Sequence, residues 1–377
     1  MFAGSSRVAI IASHQTQLRG AWDDLQHVDL ISAAVNGVLK GSGLSIDDVD
    51  FVIDSGSDIL DGRSISNCGF LGAMGAHHKE ESRVEEDGLW AALYAATKIA
   101  AGASRVGLVV AYSKPSESDV AAFYATQTEP FCVRPVGFDH RAACGLAAQS
   151  YLAEADATAA DLASLVAGDW ATAAENPAVE IDTVPDAAAV SDSPWAARPL
   201  RELELSRPVD GAVALLLASC DVAQRVTSTP VWLTGIGTAM DCHSFVQRTP
   251  GRLDACEAAA QACYRRAGID DPLSVSIAEV SGGSATGQLM VLEALGLAAA
   301  GQGARLYRDG SPVVLNPSGG ALPADPIMAT GLVRLSEAAL QLAGRVDHAP
   351  EGASSAIVHG AGGVGMQNTC VALLGVD

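Results

Sequence analysis

RVEEDGLWAALYAATKIAAG (Arg83–Gly102) reads as a strand end, a tight turn and a long helix. That geometry presents something at a helix N-terminus, where free backbone N–H groups and the positive end of the helix dipole stabilise negative charge. Folds use it to hold an activated nucleophile. Here the turn contains no Cys, Ser or Thr: Glu85, Glu86 and Asp87 lead directly into Gly88 at its tip. The frame is that of a nucleophile elbow, and the nucleophile is missing.

The elements around the elbow form a unit that recurs. RVAIIA (Arg7–Ala12) reads as a buried strand, HVDLISAAVNGVLKGSG as a helix stopped by glycines, DDVDFVIDSGS as a second strand and SISNCGFLGAMGA as a second helix. After the elbow helix come the strand RVGLVVAYS and, much later, the returning strand DGAVALLLAS. Beyond Pro230 the order begins again, with strand VWLTGIGTA, helix LDACEAAAQACYRRAG, strand SVSIAEVS and helix SATGQLMVLEALGLAAAG. Strand SPVVLNPS, helix ATGLVRLSEAALQLAG and the closing strands SSAIVHG and NTCVALLG complete it. The reading is α/β, with two similar halves packed face to face through a shared layer of Ala- and Gly-rich helices. Residues 1–112 with 204–228 make the first half, and 229–377 make the second. Residues 113–203 do not fit the repeat and read as an insertion, long enough for a lid or a substrate-binding excursion. Its Trp170 and Trp195 either line an apolar site or simply pack.

Of the 377 residues, 49% are hydrophobic and only 18% charged, as expected of an ordered protein with close-packed layers. A net charge of -21 repels phosphate backbones. With lysine only at positions 40, 79, 98 and 114, no basic stripe exists to neutralise nucleic acid. The N-terminal apolar run is too short for a signal peptide or membrane span, and no later stretch offers about eighteen uninterrupted apolar residues. A cytoplasmic location is expected. The eight cysteines form no CxxC pair and have no metal-ligand spacing to histidines. Cys256 and Cys263, seven apart in a helical stretch, share a face and are expected to pack. Neither His77–His78 with Glu80 and Glu81 nor GAGGVG (Gly360–Gly365) makes a cofactor site. Adjacent histidines point in different directions, and the glycine run lies too near the chain end for a βαβ unit. No metal and no permanently bound cofactor are expected.

Three stretches at strand ends of the second half face the elbow if a pseudo-two-fold relates the halves: AEVSGGSATGQLMVLEALGL (Ala278–Leu297), NPSGGALPADPIMATG (Asn316–Gly331) and VHGAGG (Val358–Gly363). Together they resemble the thiolase superfamily, in particular its sterol-carrier-protein-x or lipid-transfer-protein type. SGSDILDGRSISNCGFLGAMGAHHKEESRVEED, followed by AYSKPSES and QTEPFCVRP, is similar to thiolase-like proteins of actinobacterial steroid side-chain degradation. The resemblance implies a thiolase fold, with two βαβαβαββ halves in a five-layered α-β-α-β-α stack and an inserted loop domain. In that group, thiolase-like chains work with a small OB-fold, acyl-CoA-associated protein to cleave β-hydroxyacyl-CoA steroids by retro-aldol chemistry. The implied partners are that protein, a second thiolase-like chain in a homo- or heterodimer, and an acyl-CoA. Coenzyme A enters only as part of the substrate.

The resemblance also implies four groups for thiolase chemistry, and this sequence departs from three. Gly88 stands where the elbow cysteine belongs. The polar strand end that binds an oxyanion or positions water falls on Ser281, Gly282, Gly283 and Ser284, whose hydroxyls donate hydrogen bonds but are no bases near neutrality. Ala324-Asp325-Pro326 replaces the Gly-His-Pro histidine, placing an anion beside a developing enolate unless burial keeps it protonated. Only the C-terminal group, in His359-Gly360-Ala361-Gly362-Gly363, keeps a residue that titrates near neutrality. Claisen thiolysis is therefore not expected.

The expected role is a structural or accessory chain of a heteromeric acyl-CoA aldolase, because wholesale loss of catalytic groups suits a copy that shapes its partner's site. The alternative is catalytic. Retro-aldol cleavage needs only a base for the β-hydroxyl proton and donors for the thioester enolate. His359 would be that base, and Ser281, Ser284 and the Gly88 amide the donors. An acyltransferase or a lipid-binding protein is a third possibility. Each residue also has a structural reading: Asp325, Ser281 and Ser284 as helix caps, His359 as the orienter of a glycine turn. The substrate and CoA contacts expected are Gly88, Arg134, Arg141, Gly319, Gly320, Gly362 and Gly363. The two arginines would serve the phosphates, since the acids from Glu80 to Asp87 repel them.

Overall fold

The computed structural model describes residues 7–377. The first half supplies β1 (Val8–Gln15), α1 (His27–Ser42), β2 (Phe51–Ser55), α2 (Asn67–Met74), β3 (Glu80–Val84), α3 (Gly88–Ala100) and β4 (Val106–Ser113). The inserted stretch follows with α4 (Val120–Thr126), α5 (His140–Glu154), α6 (Ala159–Ala174), α7 (Ala187–Asp192) and the hairpin β5 (Trp195–Ala197) and β6 (Leu200–Arg201). β7 (Gly211–Ser219) and α8 (Cys220–Val226) close the half. The second half runs β8 (Val231–Met240), α9 (Asp254–Ala267), β9 (Ile277–Glu279), α10 (Ala285–Ala294), α11 (Arg305–Arg308) and β10 (Val314–Leu315). It ends with α12 (Thr330–Leu342), β11 (Ser355–Gly362) and β12 (Asn368–Gly375). One expected helix is shorter than its sequence pattern: α10 stops at Ala294, just before Gly296 takes a φ of 76°.

Strand order exposes the internal repeat. It is β3-β2-β4-β7-β1 in the first half and β10-β9-β11-β12-β8 in the second. Position for position the two are the same. In each half the first three strands of that order run parallel, the fourth runs against them, and the fifth pairs antiparallel with the fourth. The halves join edge to edge where Ala9 and Ile10 of β1 pair antiparallel with Trp232 and Val231 of β8.

The core residues sort into layers. Leu30, Ile31 and Val35 of α1, Phe70 and Met74 of α2 and Val222 of α8 cover one face of the first sheet through Ile11, Val52 and Leu108. The other face, through Ile53, Val109 and Leu215, meets α3 and α12, which also cover Val358 and Ala372 of the second sheet. Cys256, Ala259 and Cys263 of α9 and Val291 and Leu292 of α10 close the outer face of that sheet. The result is the five-layered thiolase stack. Ala91, Ala92, Ala95 and Ala96 make one face of α3 nearly flat, so the central helices approach closely. Leu332, Val333 and Leu335 of α12 are buried against it, each contributing about 1.5–3 kcal/mol. The insertion packs α6 on α10 through Leu162, Val166, Trp170 and Leu289, which holds α4 and α5 over the ends of the parallel strands.

Candidate functional site

The loops that leave the C-terminal ends of β2, β3, β9 and β11 converge with the segment entering α12. α/β sheets place ligands at such ends. Together with α4 and α5 they enclose a cavity of about 430 Å³, whose walls include Ser57, Glu86, Asp87, Tyr124, His140, Ser281, Asp325, Thr330, Gly362, Gly363 and Asn368. A second cavity of about 560 Å³ lies beyond α4, between Val120, Trp170, Leu203, Leu205 and Pro208. Tyr124, His140, Gly283 and Asp325 border both.

Asp87 is the N-cap of α3. Leu89 N–H donates to Oδ1 (2.9 Å) and Gly331 N–H, in the first turn of α12, donates to Oδ2 (2.8 Å). Burial raises its pKa to about 7 against the pull of those two donors. The same residue thus satisfies orphan amides of both central helices. Gly88 follows it into the helix and differs from its expected role. Its N–H donates to Met328 O (2.7 Å), so it is not free to hold an enolate, and a Cβ there would come within 2.7 Å of Leu332 Cβ and 2.8 Å of Ala111 Cβ. The elbow tip is packing rather than presentation.

Asp325 opens partly to both cavities. Ser206 Oγ donates to its Oδ2 (2.6 Å) and Thr330 Oγ1 to its Oδ1. Burial raises its pKa, opposed by those hydroxyls and by the charge of Arg334. Arg334 is itself buried, with Nη1 3.0 Å from Glu279 and bonded to Ser318 Oγ. Glu86, next to the elbow cap, also faces the first cavity. Burial raises its pKa, and Asn368 donates to its carboxylate.

His359 departs from the sequence expectation. It is fully buried, does not line either cavity, and has its pKa lowered to about 4 by burial. Val358 of β11 faces the central layer and Ile357 the outer one, so by strand alternation His359 shares the outer face. Ser281 stands between it and the cavity, with Oγ 3.4 Å from Nδ1 and donating to the His359 carbonyl (3.2 Å). Ser284 is the N-cap of α10, accepting from Gly287 N–H (3.0 Å), and lies outside the first cavity.

The expected contacts divide in the same way. Gly362 and Gly363 line the cavity. Gly319 and Gly320 do not: both have positive φ, and a side chain on Gly319 would run into Ala173. Arg134 turns Nη2 back to the carbonyls of Thr126 and Thr128 (3.1 Å each), which ties up its loop. Arg141 lines the second cavity and pairs with Glu202 (2.5 Å). Trp170 lines that cavity too, whereas Trp195 is surface-exposed beneath the guanidinium of Arg201. Glu86, Tyr124 and His140 were not singled out from sequence. Glu86 stands in the acidic run that the sequence marks only as repelling phosphates; Tyr124 and His140 carry no signal. Among the described residues, no group of three or more His, Cys, Asp or Glu side chains is placed to hold a metal ion. No helix among them is long and apolar enough to cross a membrane.

Comparison with known proteins agrees with this geometry. Residues 237–375 match the family described as Thiolase C-terminal domain-like. The acetyl-CoA acetyltransferase of Methanothermobacter thermautotrophicus is 26% identical over 372 residues, 95% of this chain and 97% of that one. Human sterol carrier protein 2 is 32% identical over 168 residues, 41% of this chain but only 30% of that longer protein. Among solved structures, the one titled Ltp2-ChsH2(DUF35) aldolase superposes with a TM-score of 0.84 at 22% identity, covering 99% of this chain and 98% of the other. The duplicated sheet and the loops around the central cavity have the thiolase fold, and the second half of the chain is similar to the thiolase C-terminal domain. Its likeness to sterol carrier protein 2 extends over less than half of either chain.

Proposed function

We propose that this chain is the thiolase-like subunit of an acyl-CoA aldolase and that its central cavity carries the retro-aldol cleavage of a β-hydroxyacyl-CoA. The observation behind this reading is the pairing of an open cavity with the loss of its nucleophile. Cys144 and Cys370, the buried thiols of this region, lie outside the wall of the first cavity, so a covalent acyl-enzyme has no sulfur to form on. Retro-aldol cleavage needs none. It needs a base for the β-hydroxyl and polar groups for the enolate. Asp325 supplies the base: it faces the cavity, and burial raises its proton affinity while Ser206, Thr330 and Arg334 act to stabilise the anion. His359 is unsuited to that role, being buried and already a weak base.

The substrate's coenzyme A is held by the protein only during turnover. Its nucleotide is kept from the first cavity by the acidic edge at Glu85 and Glu86, and Arg141 at the second is the better phosphate contact. The partner is a DUF35-type, OB-fold chain like the one named with the structural neighbour, with a second thiolase-like chain completing the assembly, and the complex works in the cytoplasm. The acyl group of a steroid side chain fits the sequence resemblance of the Ser55–Asp87 region.

The test is cleavage of a steroid β-hydroxyacyl-CoA by the complex co-purified from neighbouring genes, with Asp325→Asn introduced only in this chain. Loss of cleavage with the complex intact supports the reading. An unchanged rate assigns this chain the accessory role and the chemistry to its partner.

A further inference from the structure

The two cavities meet at a four-residue wall of Tyr124, His140, Gly283 and Asp325, and the Tyr124 phenol at that junction has no assigned use. The other hydroxyls near Asp325 are committed: Ser206 and Thr330 donate to its carboxylate, and Ser281 donates to the His359 carbonyl. The Tyr124 phenol, by contrast, is not hydrogen-bonded to a described residue and stands within electrostatic range of Asp325. Its ring lies flat on the imidazole of His140, with centroids 4.2 Å apart and planes 12° apart. Phe123 anchors the same turn of α4 in a small cluster with Leu60 and Ile327. A phenol held on a rigid stack, with an unspent O–H at the meeting point of two cavities, is a preorganised donor.

We propose that Tyr124 is a catalytic residue, the proton donor to the α-carbon of the thioester enolate, and that it works as a pair with Asp325. This rests on the aldolase reading above. The Asp325 carboxylate takes the β-hydroxyl proton as the Cα–Cβ bond breaks. The carbinol carbon becomes a carbonyl, and the bonding pair passes into the thioester enolate. Tyr124 O–H then delivers its proton to Cα, and the phenolate recovers a proton from the Asp325 carboxyl. One substrate gives two products with no other reactant. Burial raises the Tyr124 pKa, so the phenol is protonated when the enolate forms. Burial holds His140 neutral, with its pKa lowered to about 4, so the ring beneath the phenol acts as a platform and adds no charge. The two-cavity junction gives each product its own side of the reacting bond.

The experiment compares the wild-type complex with Tyr124→Phe, which keeps the stack and removes only the hydroxyl. Three quantities are read: kcat and KM for cleavage, deuterium entry at the α-carbon of a short acyl-CoA product in D₂O, and the thermal midpoint. Cleavage and exchange are both expected to fall by about 10² or more, with KM within about threefold and the midpoint unchanged. If both rates stay within about threefold of wild type, the assignment is overturned although the aldolase reading stands. If the wild-type complex neither cleaves nor exchanges, the aldolase reading fails and this assignment with it. 3-Fluorotyrosine at position 124 provides a variant of nearly identical shape. A rate and pH profile that move with phenol acidity support the donor role, and a profile that does not move overturns it.

Discussion

Helices α3 and α12 occupy equivalent places in the two halves, yet they begin in different ways. α3 has a carboxylate cap, Asp87, that uses one oxygen for its own first turn and lends the other to Gly331 of its counterpart. α12 has no side-chain cap of its own, and the acid just before it, Asp325, is held by two hydroxyls and turned toward the cavities. A duplicated fold has thus divided labour between two buried acids. One spends its lone pairs on backbone N–H groups and serves architecture, while the other is held by side chains and stays open to a ligand.

That division predicts different losses on the two sides. Asp325→Asn should lower cleavage by about 10²–10⁴ while leaving the unfolding transition in place, as measured by parallel kinetics and thermal melting. A variant that unfolds instead would erase the distinction. Asp87→Ala should cost about 2–4 kcal/mol in urea unfolding, the sum of a lost cap and a stranded buried N–H of Gly331. A cost below about 0.5 kcal/mol would mean that the cross-helix bond matters little. Gly88→Cys restores the thiol yet should gain no thiolysis and lose about 1–3 kcal/mol, because its Cβ meets Leu332 and Ala111. A free thioester assay and a denaturation curve decide both parts.

Smaller effects follow from titration. Burial raises the carboxyl pKa of Asp54 to about 8 and those of Asp87 and Asp169 to about 7. Each carboxyl keeps its proton in the folded state where the unfolded chain has already released it. Their contribution is therefore fully present below the unfolded value near 4 and is lost as pH rises through 7–8. The thermal midpoint should be about 2–4 °C higher at pH 5.5 than at pH 8. A midpoint that rises with pH over this range would contradict the assignment. The finest contrast is Ser206→Ala, which removes one of the two hydroxyls that lower the Asp325 pKa. The acidic limb of the cleavage profile should move upward by less than about one unit, and a downward shift would show that Ser206 does not stabilise the anion.

The repeated order of elements was legible in the sequence because each strand is a continuous apolar run bounded by turn residues and each helix keeps its own period. The same continuity hid the orientation of His359. SSAIVHGAG is apolar or small on both faces, as befits a strand covered on both sides, so alternation gave no sign of which face met the cavity. Gly88 was legible as a missing nucleophile but not as a contact, since Leu332 lies 244 positions away. Asp325 was found through the segment around Pro326. Tyr124 and His140 were not, because a junction between cavities is made by loops and an insertion whose spacing in sequence carries no period.

The strand pairing also has a consequence for synthesis. β1 ends at Gln15, yet its partners are β7, through Val213–Ser219, and β8, through Val231 and Trp232. At about 5–20 residues per second, roughly 10–40 seconds pass before those partners emerge from the ribosome. Throughout that interval Val8, Ala9, Ile10 and Ile11 are an unpaired apolar segment on a nascent chain. The first half cannot close its sheet until the entire insertion has been made, so β1 waits for a strand partner while about 200 further residues are added.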